Sequence, residues 1–153
     1  MLGKIHPHRI IEQLSSALVD ACGRLKQIIR TGQQYGNLVQ AFEEVTWLLL
    51  LAGNFLGSKL DEGEEPYIPT RLLEYSRECH LKNGSNHIVT IVTEVLNLAQ
   101  FEDELLLNNK SDLWSPLVAT TTVWMLSAWA RSYLNSPQSL PDSLRYSYGL
   151  GSA

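Results

Sequence analysis

The chain of 153 residues has little cysteine, no long apolar run and few basic residues. Its two cysteines, Cys22 and Cys79, do not make a disulfide framework, and such usage is typical of a reducing compartment, cytosol or nucleus. The longest apolar run, residues 45–52, is far shorter than the roughly twenty residues of a transmembrane helix. The first ten residues contain no apolar signal-peptide core. We therefore expect no membrane association and no secretory leader.

Basic residues are also scarce. Lys and Arg number 12 against 16 Asp and Glu, which gives a net charge of −4 and a pI near 5.5. Because nucleic-acid-binding domains carry clustered Lys and Arg, we expect no nucleic-acid partner. The hydrophobic fraction of 44% and the charged fraction of 18% are near the globular average, which predicts an ordered core.

Sequence motifs for catalysis and for cofactor binding are absent. The chain has no Gly-x-Ser-x-Gly elbow, no P-loop and no dinucleotide-binding glycine pattern. Its histidines and cysteines lack the paired spacing of a structural zinc site. Cys79 and His80 are adjacent on a predicted helix, so their side chains point about 100° apart and are poorly placed to share a proton. We expect no enzyme activity, no metal and no cofactor.

Apolar residues instead recur at three- and four-residue steps, which predicts helices. Asn37, Thr70 and Asn86 are the predicted N-caps of the second, third and fourth helices, and Ser115 with Pro116 begins the fifth. The β-branched run 88–92 would also suit a strand. The predicted segments are helices at about 7–30 and 37–56, a loop at 57–69, a short helix at 70–79, helices at about 86–108 and 115–135, and a loose tail at 136–153.

The second and fifth helices are apolar on more than one side. Trp47, Leu50 and Leu51 widen the apolar face of the second helix, so we expect cover on more than one side. In the fifth helix, Trp124 and Trp129 are five residues apart, which predicts one in the core and one at a seam between hairpins. The predicted buried side of that helix comprises Leu117, Thr121, Trp124, Met125, Ala128, Trp129 and Tyr133.

These elements favour an all-α fold of two stacked antiparallel hairpins, at about 7–56 and 86–135. Long paired helices joined by short turns are the unit of a HEAT-like α-solenoid. A HEAT unit spans about 40–47 residues, which is close to the length of the second hairpin. The periodicity leaves an ordinary five-helix bundle open as the alternative.

Acidic residues are concentrated in the predicted loop at 57–69. Four of the 16 acidic residues lie there: Asp61, Glu62, Glu64 and Glu65. The spacing of a calcium-binding EF-hand is absent. The loop is either a solvated segment or an electrostatic contact for a basic partner, which would raise the association rate and its salt sensitivity. These four carboxylates are the candidate partner contact.

Several blocks resemble a known family in their order along the chain. The helix that carries Trp47 ends in Gly-Asn at 53–54, an acidic segment leads into Pro-Tyr-Ile-Pro at 66–69, and the next helix contains Glu-Tyr-Ser at 74–76. The apolar helix at 124–134 adds two tryptophans in similar positions. This order resembles the middle of the nuclear export receptors of the importin-β (karyopherin) superfamily.

The resemblance implies a receptor of stacked HEAT hairpins that has no enzyme activity. Such receptors bind Ran in its GTP form together with protein cargo, contact nuclear pore proteins, and shuttle between nucleus and cytoplasm. They are several times longer than this chain, so we expect an interior fragment of the solenoid. No residue of this segment is assigned to Ran or to pore proteins. The alternative is a generic helical-repeat scaffold or adaptor protein without a transport role.

Overall fold

The computed structural model describes residues 7–32, 35–57 and 68–134. Within these ranges it contains five α-helices, one short 3-10 turn and no strand, which confirms the predicted all-α class. The helices are α1 (Pro7–Thr31), α2 (Tyr35–Leu56), α3 (Thr70–Leu81), α4 (His87–Leu107) and α5 (Pro116–Tyr133), and the 3-10 turn is Ser111–Leu113.

Local chemistry at the start of α4 determines its conformation. The Asn86 side chain accepts a hydrogen bond from the Ile88 N–H at 3.0 Å, so the predicted N-cap is confirmed. The β-branched run that follows is helical. At the start of α5, Ser115 is the N-cap and Pro116 lies in the first turn, as predicted, although the Ser115 side chain makes no capping hydrogen bond.

Two predicted caps are wrong. Helix α2 begins at Tyr35, so Asn37 lies inside the helix and not at its N-cap. The N-cap of α3 is Pro69, whose carbonyl oxygen accepts hydrogen bonds from the N–H groups of residues 72 and 73. Thr70 is therefore the first helical residue. At α3 the backbone provides the helix start without a side-chain acceptor, and residue preferences alone do not reveal such a start.

The helices pack as two hairpins side by side. Helix α1 packs against α2 and α4, and α2 packs against both α1 and α5. The α2–α5 contact is the most extensive in the structure. One layer therefore contains α1 and α4, and the other contains α2 and α5, an arrangement consistent with stacked helical repeats. The core between them includes Leu18, Cys22, Leu49, Ile91, Leu98 and Met125, all fully buried.

Helix α3 joins the two hairpins through its buried polar side chains. The Tyr75 hydroxyl accepts a hydrogen bond from the His87 N–H at 3.0 Å, and the Asn86 side chain donates to the Ser76 hydroxyl at 3.2 Å. On the other side, the His8 ring of α1 meets the Tyr75 ring edge-on at 4.9 Å. The turn between α3 and α4 is thereby fixed to α1.

The predicted burial of three apolar side chains is wrong. Trp47 and Leu51 of α2 are 67% and 57% exposed, and Leu117 of α5 is 60% exposed. Helix α2 packs against both α1 and α5, as expected of a helix that is covered on more than one side, but Trp47 and Leu51 stay exposed. Trp124 and Trp129 are both partly buried against the edge of the core, so neither is a fully buried core residue.

None of the helices in the described ranges is both long enough and apolar enough to cross a membrane.

Candidate partner-binding groove

The acidic contact predicted from the sequence lies outside the described residues. Asp61, Glu62, Glu64 and Glu65 belong to the segment 58–67, so the contact role of these carboxylates stays a prediction. The predicted tail at 136–153 also lies outside the described part of the chain.

The described residues form an apolar groove of about 700 Å³ that the sequence did not predict. It lies where the end of α1 and the first half of α2 meet the 3-10 turn and the start of α5. The residues that line it are Ile28, Ile29, Gly32, Leu38, Val39, Phe42, Glu43, Thr46, Asp112, Leu113, Trp114, Ser115, Pro116 and Leu117. The groove, which we call the α1–α2–α5 groove, therefore spans both hairpins.

Trp114 forms the floor of the α1–α2–α5 groove. Its side chain is 9% exposed and meets two phenylalanine rings edge-on, Phe42 at 5.7 Å and Phe101 at 5.8 Å between ring centroids. Each such aromatic pair contributes roughly 0.5–1.5 kcal/mol beyond the buried area. The three rings connect α2, α4 and the segment before α5, which makes the floor of the groove part of the core.

Two cations of α1 cover the Phe101 ring. The Lys26 Nζ lies 5.9 Å and the Arg30 guanidinium carbon 5.3 Å from its centroid. Both distances are within the range of a cation–π contact. These side chains follow each other at i and i+4, so they share one face of α1. The positive charges of Lys26 and Arg30 therefore lie over the Phe101 ring, and neither Lys26 nor Arg30 lines the groove.

The Trp114 indole also acts on Glu102 of α4. Partial burial raises the pKa of the Glu102 carboxyl group, and the nearby indole N–H opposes this rise by favouring the ionised form. The indole nitrogen is itself buried and lies outside standard hydrogen-bond geometry with any acceptor among the described residues. The Trp114 indole is thus close enough to Glu102 to affect the pKa of its carboxyl group, although the two do not form a well-aligned hydrogen bond.

The mouth of the groove combines exposed apolar side chains with negative charge. Val39 and Leu117 are 46% and 60% exposed at the mouth. Among the described lining residues, the charged ones are Glu43 and Asp112, and none is a Lys or an Arg. Neither carboxylate forms an ion pair within the described ranges, whereas the neighbouring Glu44 is paired with Arg24 at 2.6 Å.

Cys22 is held as a neutral thiol. Its pKa is raised from the ordinary 9.0 to about 12, mainly by burial and also by Glu94, while Lys26 opposes the rise. Because thiol chemistry proceeds through the thiolate, Cys22 is inert at neutral pH. The described residues bring together no group of three or more His, Cys, Asp or Glu that could hold a metal ion.

Sequence reasoning missed this groove because three separate segments build it. The available signal was the apolar pair Leu113 and Trp114, which lies between two predicted helices where polar turn residues are usual. Whether these apolar residues form a groove depends on the position of α2, and no local sequence pattern predicts that position.

A curated protein shows similarity over most of the chain. Exportin-4 of Dictyostelium discoideum is 28% identical over 148 residues, which cover 94% of this chain and 12% of that protein. The chain thus spans about an eighth of the length of this relative. No protein-family model matches the chain, and no solved structure matches it. The similarity supports an exportin-like relationship for this segment.

Proposed function

We propose that this chain is a segment of a nuclear export receptor and contributes two stacked helical hairpins to its solenoid. The observation that carries the proposal is the similarity to Exportin-4 over 94% of the chain. The fold supports it, because α1 lies beside α4 and α2 beside α5, as in stacked repeats. The whole receptor would bind Ran-GTP and protein cargo, contact nuclear pore proteins, and shuttle between nucleus and cytoplasm.

The proposed activity is non-covalent binding, with no enzyme activity. The described surface features that suit it are the α1–α2–α5 groove and the exposed apolar face of α2 around Trp47. In a solenoid, each hairpin offers such surfaces to a neighbouring repeat or to a partner.

Binding to the two nucleotide forms of Ran tests the transport role. The full-length receptor that contains this segment is immobilised and titrated with Ran loaded with GTP or with GDP. We expect affinity for the GTP form to be at least tenfold higher, with cargo further raising it through reciprocal coupling. Equal affinity for both forms would contradict the proposal and favour the alternative, a generic helical-repeat adaptor.

The acidic segment would contribute an electrostatic contact for a basic region of the cargo. Neutralising Asp61, Glu62, Glu64 and Glu65 with Asn and Gln in the full-length receptor is expected to lower the cargo association rate at 50 mM salt. The effect should fade at 300 mM salt because exposed charges are screened. Unchanged rates at both salt concentrations would remove this contact from the proposal.

A matched control for that experiment is available on α4. Asp103 and Glu104 are adjacent, exposed and acidic. Their neutralisation removes two charges from a helix surface, so it measures the effect of net charge alone. Comparison with Glu64→Gln/Glu65→Gln, which also removes two charges, separates a local contact from a change in net charge.

A further inference from the structure

We propose that the α1–α2–α5 groove binds an apolar helical segment of a partner protein that carries Lys or Arg beside its apolar side chains. The inference does not depend on a transport role, since the groove belongs to this chain whatever the longer protein does. It is separate from the proposed acidic contact at 58–67, because it is argued from the described lining residues alone.

The shape and the lining of the groove favour an apolar helix as the ligand. Its volume of about 700 Å³ lies within the range of protein ligand sites. Val39 and Leu117 leave apolar surface exposed at the mouth, above the buried Leu38 and Trp114. An amphipathic helix covers such a surface by laying its apolar side chains into the groove. The described ranges contain no strand, so they offer no sheet edge for an extended peptide.

The charges at the mouth define the second property of the ligand. Glu43 and Asp112 line the groove, both are exposed, and neither has an ion-pair partner among the residues that the structure describes. Lys26 and Arg30 lie over Phe101, outside the lining. A ligand with basic residues beside its apolar ones therefore meets uncompensated negative charge, and an acidic ligand is repelled.

The floor of the groove is already formed in the structure. Trp114 is fixed between Phe42 and Phe101, and these rings belong to the packed core. A ligand would not need to order this floor, which reduces the entropic cost of binding. The apolar side chains that would lose exposure on binding are Val39 and Leu117 at the mouth.

The test uses the full chain and a defined peptide. The probe is a fluorescent 14-residue amphipathic peptide of leucine and lysine, with leucines at helical i, i+3, i+4 and i+7 spacing. A second peptide has glutamate in place of every lysine, and a third has the first composition in scrambled order. Fluorescence anisotropy at low salt measures each affinity. We expect the lysine peptide to bind at least tenfold more tightly than the glutamate peptide and more tightly than the scrambled one.

Protein variants locate the binding site. Val39→Ser/Leu117→Ser is expected to weaken binding of the lysine peptide at least fivefold, and both positions are exposed enough for the fold to survive. Glu43→Lys/Asp112→Lys is expected to reverse the preference so that the glutamate peptide binds better. The matched control is Leu107→Ser, a highly exposed leucine on α4 outside the groove, and it should leave binding unchanged.

Several outcomes would overturn the inference. They are absence of binding of the lysine peptide by the unchanged chain, an unchanged preference in Glu43→Lys/Asp112→Lys, and equal weakening by Leu107→Ser. A thermal melt of each variant excludes loss of folding as the cause. Self-association of the chain that Val39→Ser/Leu117→Ser abolishes would instead show that a second copy occupies the groove.

Discussion

Trp124 of α5 packs directly on the backbone of Gly53 in α2. A Cβ atom placed on Gly53 would lie 2.8 Å from Cη2 of the Trp124 ring, closer than carbon atoms normally approach. At Gly57, just past the end of α2, a Cβ atom would lie 3.6 Å from the Ala128 Cβ and 3.0 Å from the Gly53 carbonyl oxygen. The two hairpins therefore come into close contact at a position where α2 has no side chain, along the most extensive contact between the described helices.

Gly53→Ala is expected to destabilise the chain despite the higher helix propensity of alanine. Alanine gains about 1 kcal/mol over glycine inside a helix. Overpacking against a large ring costs typically 1–3 kcal/mol, since Trp124 can move only by disturbing the contact between α2 and α5. We expect a net loss of about 1 kcal/mol, measured as a lower midpoint in urea unfolding at an unchanged slope.

Gly23→Ala in α1 is the matched control. An added Cβ atom there meets no atom within 4 Å. Only the propensity gain applies, so this variant should be more stable by up to about 1 kcal/mol. Opposite signs for the two substitutions would confirm the close contact, whereas stabilisation by both would show that Trp124 yields without cost.

Local sequence patterns predicted the helices, although the predicted caps at Asn37 and Thr70 were wrong. Apolar periodicity identified the helices, and the cap at Asn86 predicted the start of α4 although β-branched residues follow it. The exposure of Trp47 and Leu51 was not predictable in this way. An apolar helix face shows that its burial is favourable. Which part of the α2 face is buried depends on where α1 and α5 pack against it.

The same distinction applies to the candidate site. The negative charge of the segment 58–67 is visible in the sequence, since it depends on composition alone. The α1–α2–α5 groove depends on the crossing of α2 and the segment before α5, which brings Phe42 and Trp114 together from 72 positions apart in the chain. No hydrophobic period or sequence motif predicts a contact between residues so far apart in the chain.

Asn86→Ala is expected to lower the free energy of unfolding by about 2 kcal/mol. Loss of an N-cap side chain costs roughly 0.5–2 kcal/mol, and the buried Ser76 hydroxyl also loses the hydrogen bond from Asn86, worth about 1 kcal/mol. The control is Ser115→Ala, because Ser115 has the same N-cap position in α5 but makes no capping hydrogen bond. Its effect should stay within about 0.5 kcal/mol. Equal losses in the two variants would contradict the role of the Asn86 side chain.

Cys22 should make stability depend on pH in the alkaline range. Its pKa is about 12 in the folded chain, against an ordinary 9.0. As the pH rises above 9, the unfolded chain loses this proton while the folded chain keeps it, so stability falls. Below pH 9 both states are protonated and the contribution stays constant. Between pH 8.5 and 10 the expected loss is about 1 kcal/mol.

Comparison with Cys22→Ala isolates this effect. The variant is expected to be less stable at every pH because it leaves a small cavity. Between pH 8.5 and 10, the unfolding free energy of the variant should fall by about 1 kcal/mol less than that of the unchanged chain. Burial also raises the pKa of the Tyr75 hydroxyl, but Tyr75 is present in both proteins and cancels in the difference. Parallel pH profiles of urea unfolding would refute the prediction.

The exposed apolar face of α2 is expected to cause self-association of the chain in isolation. Trp47 and Leu51 lie one turn apart on the same side of α2, and Phe55 continues the stripe. The Arg71 guanidinium lies 4.6 Å from the centroid of the Phe55 ring and covers that end, so the bare part is Trp47 with Leu51. Bare apolar patches of this kind favour association.

Trp47→Glu/Leu51→Glu is therefore expected to suppress association without a large change in folding stability. Both side chains are more than half exposed, so each substitution should change the unfolding free energy by no more than about 0.5 kcal/mol. Sedimentation velocity at increasing protein concentration measures the association. Leu106→Glu/Leu107→Glu at the end of α4 is the matched control, since it adds the same charge at exposed leucines outside this face. A chain that stays monomeric at all concentrations before any substitution would contradict the prediction, as would equal suppression by the control.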